Sequence, residues 1–594
     1  MAKGAKKRKR SAPARTDAAT PVPARRPAND DLWLMAKAAA IISLGVFIYW
    51  PALTGDWLWD DRDLVADNIL IHDPNGLWKI WLQPSVMFDF LPLKISVEWI
   101  EWRLFGEETL GYHLVNLALH LTSAFLLWRF FWKFGLRFAW LGAVIFTVHP
   151  LQVESVAWMA ELKNTLSLPF FITAMMAWTD FEARGRRGDY ALALGMFLLA
   201  MLTKPTMVMF PFVILLYAWW RRGRVVTRDV TSSAPFFALS LAIGAATFLF
   251  LSKTTGEQHV ILGGPLSRLA CAGLSVAFYF SKCVLPLDLM TIYPLWDLNP
   301  PSPLQFLPWP VLAGVLWFLW SRRGGWGRHA LLGLGFFLLN LVPFIGLTAG
   351  SYMNYSWVMD HLVYIPMIGL IGLAIAATGD VASKLPPGGR AAGAAILALL
   401  LALLTWASHG YASLYMNLES LWGHNVAFNP GAALPHNDLG VALARQGRIG
   451  EAVVQFRVAA ELDARYTDAH HNLALELLQT GHPAEALPEF EKVAALAPNE
   501  AESHYNLALT LGELHREAEA IPEYERALAL DPGDEAAYQN LAVTFVVLKR
   551  LDAAMEVLQA GLRAVPGNAQ LQNTLATVQQ MQKEASAPPA PKSR

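Results

Sequence analysis

The sequence predicts an all-α protein in two parts, a polytopic bundle of membrane helices followed by a helical solenoid. Two observations predict it. Apolar runs dominate residues 32–410, and across all 594 residues 54% are hydrophobic against 16% charged, too few charges for an ordinary soluble chain. From residue 428 onward, a pattern of small and aromatic residues recurs about every 34 positions. The net charge of −1 averages three unlike regions and identifies no partner. Nothing in the chain calls for a nucleic acid.

The N-terminal 31 residues are polar and rich in Lys, Arg, Pro and Ala. They are expected to form a disordered cytoplasmic tail. Its basic run (Lys3, Lys6, Lys7, Arg8, Lys9, Arg10) precedes a long apolar segment, the arrangement that keeps an N-terminus in the cytoplasm. Residues 32–53 exceed a signal-peptide core and read as a retained span.

A bilayer core requires about 20 apolar helical residues. Candidate spans lie near 32–53, 112–132, 137–150, 165–181, 190–203, 205–220, 234–252, 307–320, 329–346, 361–378 and 391–409, about eleven in all. The basic groups Arg184-Arg186-Arg187, Arg221-Arg222-Arg224-Arg228, Arg322-Arg323-Arg328 and Lys384-Arg390 belong on the cytoplasmic side. That condition holds for every group if 266–286 is re-entrant or interfacial rather than spanning. The loops at 54–111, 150–164, 203–206, 253–306 and 347–360, and everything after about 410, then lie outside. In the first of these, LWKIWLQ and ISVEWIEWRLF carry Trp78, Trp81, Trp99 and Trp102 and read as helices in the headgroup layer.

After a linker at 411–430, residues 431–582 are expected to form about four repeats and a capping helix, of the tetratricopeptide type. Leu439-Gly440, Leu473-Ala474, Leu507-Ala508 and Leu541-Ala542 fall in register. Ala452, Ala486, Ala520 and Ala554 mark the close approach of paired helices, and Phe456, Phe490, Tyr524 and Leu558 fill the neighbouring position. Such arrays offer a concave face to a peptide or partner protein. Asp438, Asn472, Asn506 and Asn540 recur once per unit, and their amides and carboxylate suit the backbone of an acceptor polypeptide. Residues 583–594, rich in Ala, Pro and Lys, are expected to be disordered.

Candidate chemistry lies in the outer loops. Asp60 and Asp61 stand just past the first span, where a carboxylate can take a proton from a hydroxyl at the membrane surface. The second outer loop gathers His149, Glu154, Glu161 and Lys163. His149 and Glu154 could bind a metal, but two ligands do not make a site, so no metal is expected. Lys204, at a tight outer turn, suits either a snorkelling anchor or a phosphate contact. Asp360 and His361 open a late span. The two cysteines, Cys271 and Cys283, imply no disulfide framework.

Six segments carry a resemblance along nearly the whole chain after residue 32: WDDRDLVADN (59–68), GYHLVNLALHL (111–121), HPLQVESVAWMAELK (149–163), LTKPTMVMFP (202–211), NLVPFIG (340–346) and MDHLVYIPMIGL (359–370). With the repeats behind them, the chain resembles the transmembrane and tetratricopeptide-repeat-containing O-mannosyltransferases and their bacterial relatives, of the GT-C glycosyltransferase superfamily. The resemblance implies a GT-C-type membrane domain and a polyprenyl-phosphate sugar donor, usually mannose, bound from the membrane lipid at the outer leaflet. It implies transfer with inversion to Ser or Thr hydroxyls of proteins, and no obligatory metal or other cofactor. Asp60 and Asp61 take the place of the general base, and Lys163, Lys204 and Lys282 are the cations available to the donor phosphate. Three arginines of the family pattern read here as Leu91, Leu162 and His361, with Lys94 or His361 as substitutes. A non-catalytic repeat scaffold for protein–protein interaction is the alternative, as is a GT-C enzyme using another lipid-linked sugar. A bacterial inner membrane is the expected location.

Overall fold

The computed structural model describes residues 28–83, 87, 90–254, 263–347 and 350–586. The basic run of the first 27 residues and the tail from 587 lie outside the described residues. Helices make up the fold, and no strand occurs among the described residues.

The first long helix, α1 (Ala28–Tyr49), ends at Pro51. The first loop then folds into three helices, α2 (Ile69–His72), α3 (Gly76–Leu82) and α4 (Pro92–Phe105). Next come α5 (Thr109–Lys133), α6 (Ala139–Val148), the short α7 (Val153–Ala157), α8 (Leu162–Arg184), α9 (Arg187–Thr203), α10 (Phe210–Arg222) and α11 (Thr227–Thr254). The membrane part closes with α12 (Pro265–Val284), α13 (Pro308–Ser321), α14 (Trp326–Leu341), α15 (Met367–Lys384) and α16 (Pro387–Ser413). Seven helical stretches among the described residues are long and apolar enough to cross a bilayer. The shorter helices α6, α9 and α10 account for three of the other expected spans. Glycine in the left-handed region ends two of the helices, Gly185 after α8 (φ +67) and Gly223 after α10 (φ +76), where a side chain would be strained.

Contacts between connections sort the bundle into two ends. At one end Lys133 pairs with Asp180 at 2.6 Å and Arg222 with Glu182 at 2.6 Å, while Trp220 donates to His329 at 3.0 Å. At the other, the loops after α1, α6, α9 and α14 meet, together with the chain that leaves α16. There the Asp56 N–H donates to the Met416 carbonyl at 2.9 Å. Both termini of α12 touch loops of this second end. Arg268 donates to the Leu347 carbonyl at 3.3 Å, and the Cys283 carbonyl sits 3.1 Å from His149 Nε2. One turn before the C-terminal end of α12, the Tyr279 hydroxyl accepts from the Met359 N–H at 3.0 Å. The helix therefore lies across that end.

The 411–430 stretch, expected as a linker, is ordered. It holds the end of α16 and the helix α17 (Leu418–Phe428), whose Trp422 is fully buried. Behind it stand four helix pairs: α18 (Ala433–Arg445) with α19 (Ile449–Leu462), α20 (Thr467–Gln479) with α21 (Pro483–Leu496), α22 (Ala501–Glu513) with α23 (Glu517–Leu530), and α24 (Glu535–Val547) with α25 (Leu551–Ala564). The capping helix α26 (Ala569–Ser586) runs slightly beyond the expected limit. The four register alanines are fully buried, as close helix approach requires. The turn inside each pair takes a left-handed residue at a constant spacing. It is Gly447 (φ +75), Gly481 (φ +78), His515 (φ +57) and Lys549 (φ +59), so the last two units place a side chain where the first two use glycine.

Candidate active site at the junction of the outer loops

Asp61 is fully buried and ties two loops together. Its Oδ2 accepts the Leu58 N–H at 2.9 Å and its Oδ1 accepts the Ala160 N–H at 2.7 Å. Burial and the charge of Asp60 push its pKa up, while the two N–H groups favour the ionised form. Asp60 is the opposite case. Its Oδ1 is buried with no hydrogen-bond partner among the described residues. Burial pushes its carboxyl up to about 6 against the pull of the Lys163 and Lys94 charges, with Glu161 adding to the rise. One member of the acidic pair is thus fastened, and the other presents an unsatisfied acceptor. Trp59 stacks on Trp158 at 5.1 Å and meets Trp422 edge-on at 5.2 Å, so the turn before the pair is clamped between the second loop and α17.

Glu161 is the hub of the second loop. Its Oε1 lies 2.7 Å from Lys163 Nζ and 3.8 Å from His361 Nε2, while its Oε2 accepts from Asn164 at 2.5 Å. Burial alone would raise this carboxyl, but the charges of His361, Lys163 and Lys204 hold it at about 2. The Lys204 ammonium donates to Asn164 Oδ1 and lies 5.3 Å from the Phe344 ring centroid. Burial lowers its pKa to about 7, with Glu161 raising it and Lys163 lowering it further. His361 Nδ1 is 3.2 Å from Glu154 Oε1, and its backbone N–H donates to Glu154 Oε2 at 3.0 Å. Lys163, Lys204, His361 and Glu154 are therefore brought together, beside Asp60.

Other expected residues stand apart. Lys282 donates to the carbonyls of Leu287 and Asp288 and faces the Phe278 and Tyr293 rings, closing the last turn of α12. Asp360 accepts the Tyr293 hydroxyl at 2.9 Å and the Tyr411 hydroxyl at 3.1 Å, a buried latch between the 287–298 segment and α16. Burial and the Glu154 charge push its carboxyl up. His149 accepts the Leu151 N–H through Nδ1 at 3.3 Å and uses Nε2 on the Cys283 carbonyl. No group of three or more His, Cys, Asp or Glu arranged to hold a metal occurs among the described residues.

In the repeats, Asn472 donates to Asn437 at 2.9 Å, Asn506 to His471 at 3.1 Å and Asn540 to Tyr505 at 2.9 Å, each reaching into the preceding unit. Asp438 accepts from Asn437 at 3.0 Å. The amide nitrogens thus lace the units together, leaving the amide oxygens for any peptide contact.

Sequence reasoning named Lys94 but missed the two carboxyls that surround it. Lys94, Glu98 and Glu101 are buried on one face of α4, with Lys94 Nζ 2.5 Å from Glu98 Oε1. Burial raises Glu98 and, with the Glu98 charge, takes Glu101 to about 9. The segment, expected as a helix in the headgroup layer, turns these three charged side chains inward, toward Asp60. Their spacing at i, i+4 and i+7 was the available signal. Asn164, the bridge between Glu161 and Lys204, carried no such signal.

Residues 95–250 match the family described as dolichyl-phosphate-mannose-protein mannosyltransferase, and residues 471–535 and 513–578 match tetratricopeptide repeats. The chain is similar to protein O-mannosyl-transferase F38B6.6 of Caenorhabditis elegans, 24% identical over 154 residues, covering 23% of this chain and 22% of that protein. It is also similar to protein O-mannosyl-transferase TMTC3 of Mus musculus (23% identical, 24% of this chain and 17% of that one) and of Homo sapiens (21% identical, 28% and 20%). The match spans about a fifth of the length of these relatives. Among solved structures, MamA is 19% identical over 25% of this chain and 82% of its own, with a TM-score of 0.25. YrrB, described as a TPR protein with an unusual peptide-binding site, is 20% identical over 26% and 80%, also with a TM-score of 0.25. Over these stretches the chain is therefore similar to dolichyl-phosphate-mannose-protein mannosyltransferases, to the named O-mannosyl-transferases and to tetratricopeptide repeats.

Proposed function

We propose that the chain is an inverting membrane glycosyltransferase that moves a sugar, mannose by its relatives' names, from a polyprenyl phosphate to Ser or Thr hydroxyls of proteins. The observation that carries this reading is Asp60, a half-buried carboxyl whose enclosed Oδ1 has no partner and whose pKa is raised to about 6, beside Lys163 and Lys94. A general base works best when its pKa lies near the working pH.

In the proposed step the Asp60 carboxylate takes the proton of the acceptor hydroxyl. The hydroxyl oxygen attacks the anomeric carbon from the face opposite the phosphate, and the bond from that carbon to the phosphate oxygen breaks. The polyprenyl phosphate departs with the electron pair, its charge compensated by Lys163, Lys204 and His361. Asp61 acts as a positioning residue, since it fixes the turn that carries Asp60 to the backbone of the second loop. The repeats present the acceptor polypeptide.

The contact between Asp56 and Met416 supports a single side for acid pair and repeats. With the N-terminus cytoplasmic, about eleven crossings put that side outside, in a bacterial inner membrane. The test is glycan analysis of exported proteins from cells carrying Asp60→Asn. The account expects loss of sugar at the modified Ser and Thr sites with normal amounts of protein in the membrane. A non-catalytic scaffold expects occupancy equal to wild type, and that outcome would overturn the mechanism.

A further inference from the structure

A cavity of about 280 Å³ lies between α5, α8, α10, α14 and α15, at the end of the bundle opposite Asp60. Its wall is apolar and aromatic, with Phe134, Val213, Phe336 and Leu373 among the lining side chains. Glycine makes the room. A Cβ on Gly372 would meet nothing nearer than Phe131 at 3.4 Å. Water does not fill a space with so few polar partners, and within a bilayer the hydrocarbon of a lipid is the available occupant.

The charges at the mouth say which lipid. Trp220 and His329 line the opening and are hydrogen-bonded to each other at 3.0 Å. Arg137, Arg221 and Arg328 are the chain neighbours of the lining residues Leu136, Trp220 and His329. Among the described residues, Arg222 pairs with Glu182 and Asp229, whereas Arg137 faces the Phe138 ring at 5.5 Å, Arg221 interacts with the Tyr217 hydroxyl, and neither they nor Arg328 forms an ion pair. Arg328 Nε is buried without a hydrogen-bond partner. Arg221 beside the lining Tyr217 and Arg328 with its unpartnered Nε, neither paired with a carboxylate, suit a phosphate headgroup whose chain enters the apolar slot.

We propose that this cavity is a binding site for an anionic phospholipid of the leaflet on the arginine-rich side, with the acyl chain between the helices and the phosphate against Arg221 and Arg328. The chain of a donor lipid held at Lys204 is a poorer occupant. The space beneath Lys204 measures about 10 Å³ and is walled by Asn340, Phe344, Leu362, Ile365 and Pro366, room for about one water.

The test is native mass spectrometry of the delipidated full chain after exchange with vesicles containing equal phosphatidylglycerol and phosphatidylcholine plus a polyprenyl phosphate. Wild type is expected to retain phosphatidylglycerol in preference to the other two. Gly372→Leu, which fills the cavity, is expected to lower retention at least tenfold. Ala376→Phe fills the same space from a different position and gives the same reading if the first variant does not fold. Arg221→Gln with Arg328→Gln is expected to keep a bound lipid but lose the preference for phosphatidylglycerol. Undiminished retention in the filled variants, or polyprenyl phosphate as the retained species, would overturn the assignment.

Discussion

Replacing each member of the acidic pair separately should separate a lost hydrogen bond from a relieved buried charge. In Asp61→Asn the amide keeps one acceptor, but its NH₂ confronts either the Leu58 or the Ala160 N–H. One buried donor is left unpaired, at a cost of about 1–3 kcal/mol, and the first loop loosens from the second. Asp60→Asn removes no hydrogen bond from the unpartnered Oδ1. It also relieves a buried charge. Asp60 is raised from 3.8 to about 6, so the fold disfavours its ionised form by on the order of 3 kcal/mol. The sign follows from linkage: below about pH 4 the group is protonated folded or unfolded and the penalty vanishes. It grows as pH rises and is complete above about 6. Melting of the purified protein at pH 8 should therefore be unchanged or higher for Asp60→Asn, whereas Asp61→Asn sets its unpaired donor against relief of its own buried charge and should gain less. Transfer from a polyprenyl-phosphate sugar to a Ser/Thr peptide should fall about 10²–10⁴-fold for Asp60→Asn. The reasoning fails if Asp60→Asn melts lower than Asp61→Asn, or if it retains wild-type transfer.

Three further outcomes are expected. The rate should rise with pH as Asp60 ionises near 6 and fall as Lys204 loses its proton near 7; in Lys204→Arg the alkaline limb of the kcat/KM profile should move upward, because guanidinium stays charged. Asp360→Ala should leave the buried Tyr293 and Tyr411 hydroxyls without their acceptor, a loss of about 1–3 kcal/mol for each, seen as a lower melting temperature. His515→Gly and Lys549→Gly should each stabilise the repeats by about 1 kcal/mol, since both occupy left-handed turns; thermal or denaturant unfolding would reveal any change of opposite sign.

Much of the architecture was legible because it is written locally. The repeat register needs only a period, and Ala452 and its equivalents are buried where that period demands. Apolar length and arginine clusters likewise sort the connections into the two ends that the contacts display. The site was legible only in part, because its logic is long-range. Asp60 and Asp61 are adjacent letters, and their division into an unpartnered and a fastened carboxyl depends on the N–H of Ala160, 99 residues away from Asp61. Lys282 looked equivalent to Lys163 as a loop cation, yet local carbonyls occupy it. Trp78, exposed, and Lys94, buried, belong to stretches that look alike in composition. Which face turns inward is set by the carboxyls and lysines it meets across the loop, information that periodicity does not contain.

Everything mechanistic requires that acid pair, lipid headgroup and repeats meet outside the cytoplasm. Impermeant maleimide labelling of intact cells tests this with single substitutions at exposed positions, Asp63→Cys in the first loop, Glu556→Cys in the last repeat and Arg323→Cys between α13 and α14. The account predicts that the first two label in intact cells and the third only after permeabilisation. Protection of Glu556→Cys while Asp63→Cys labels would contradict it.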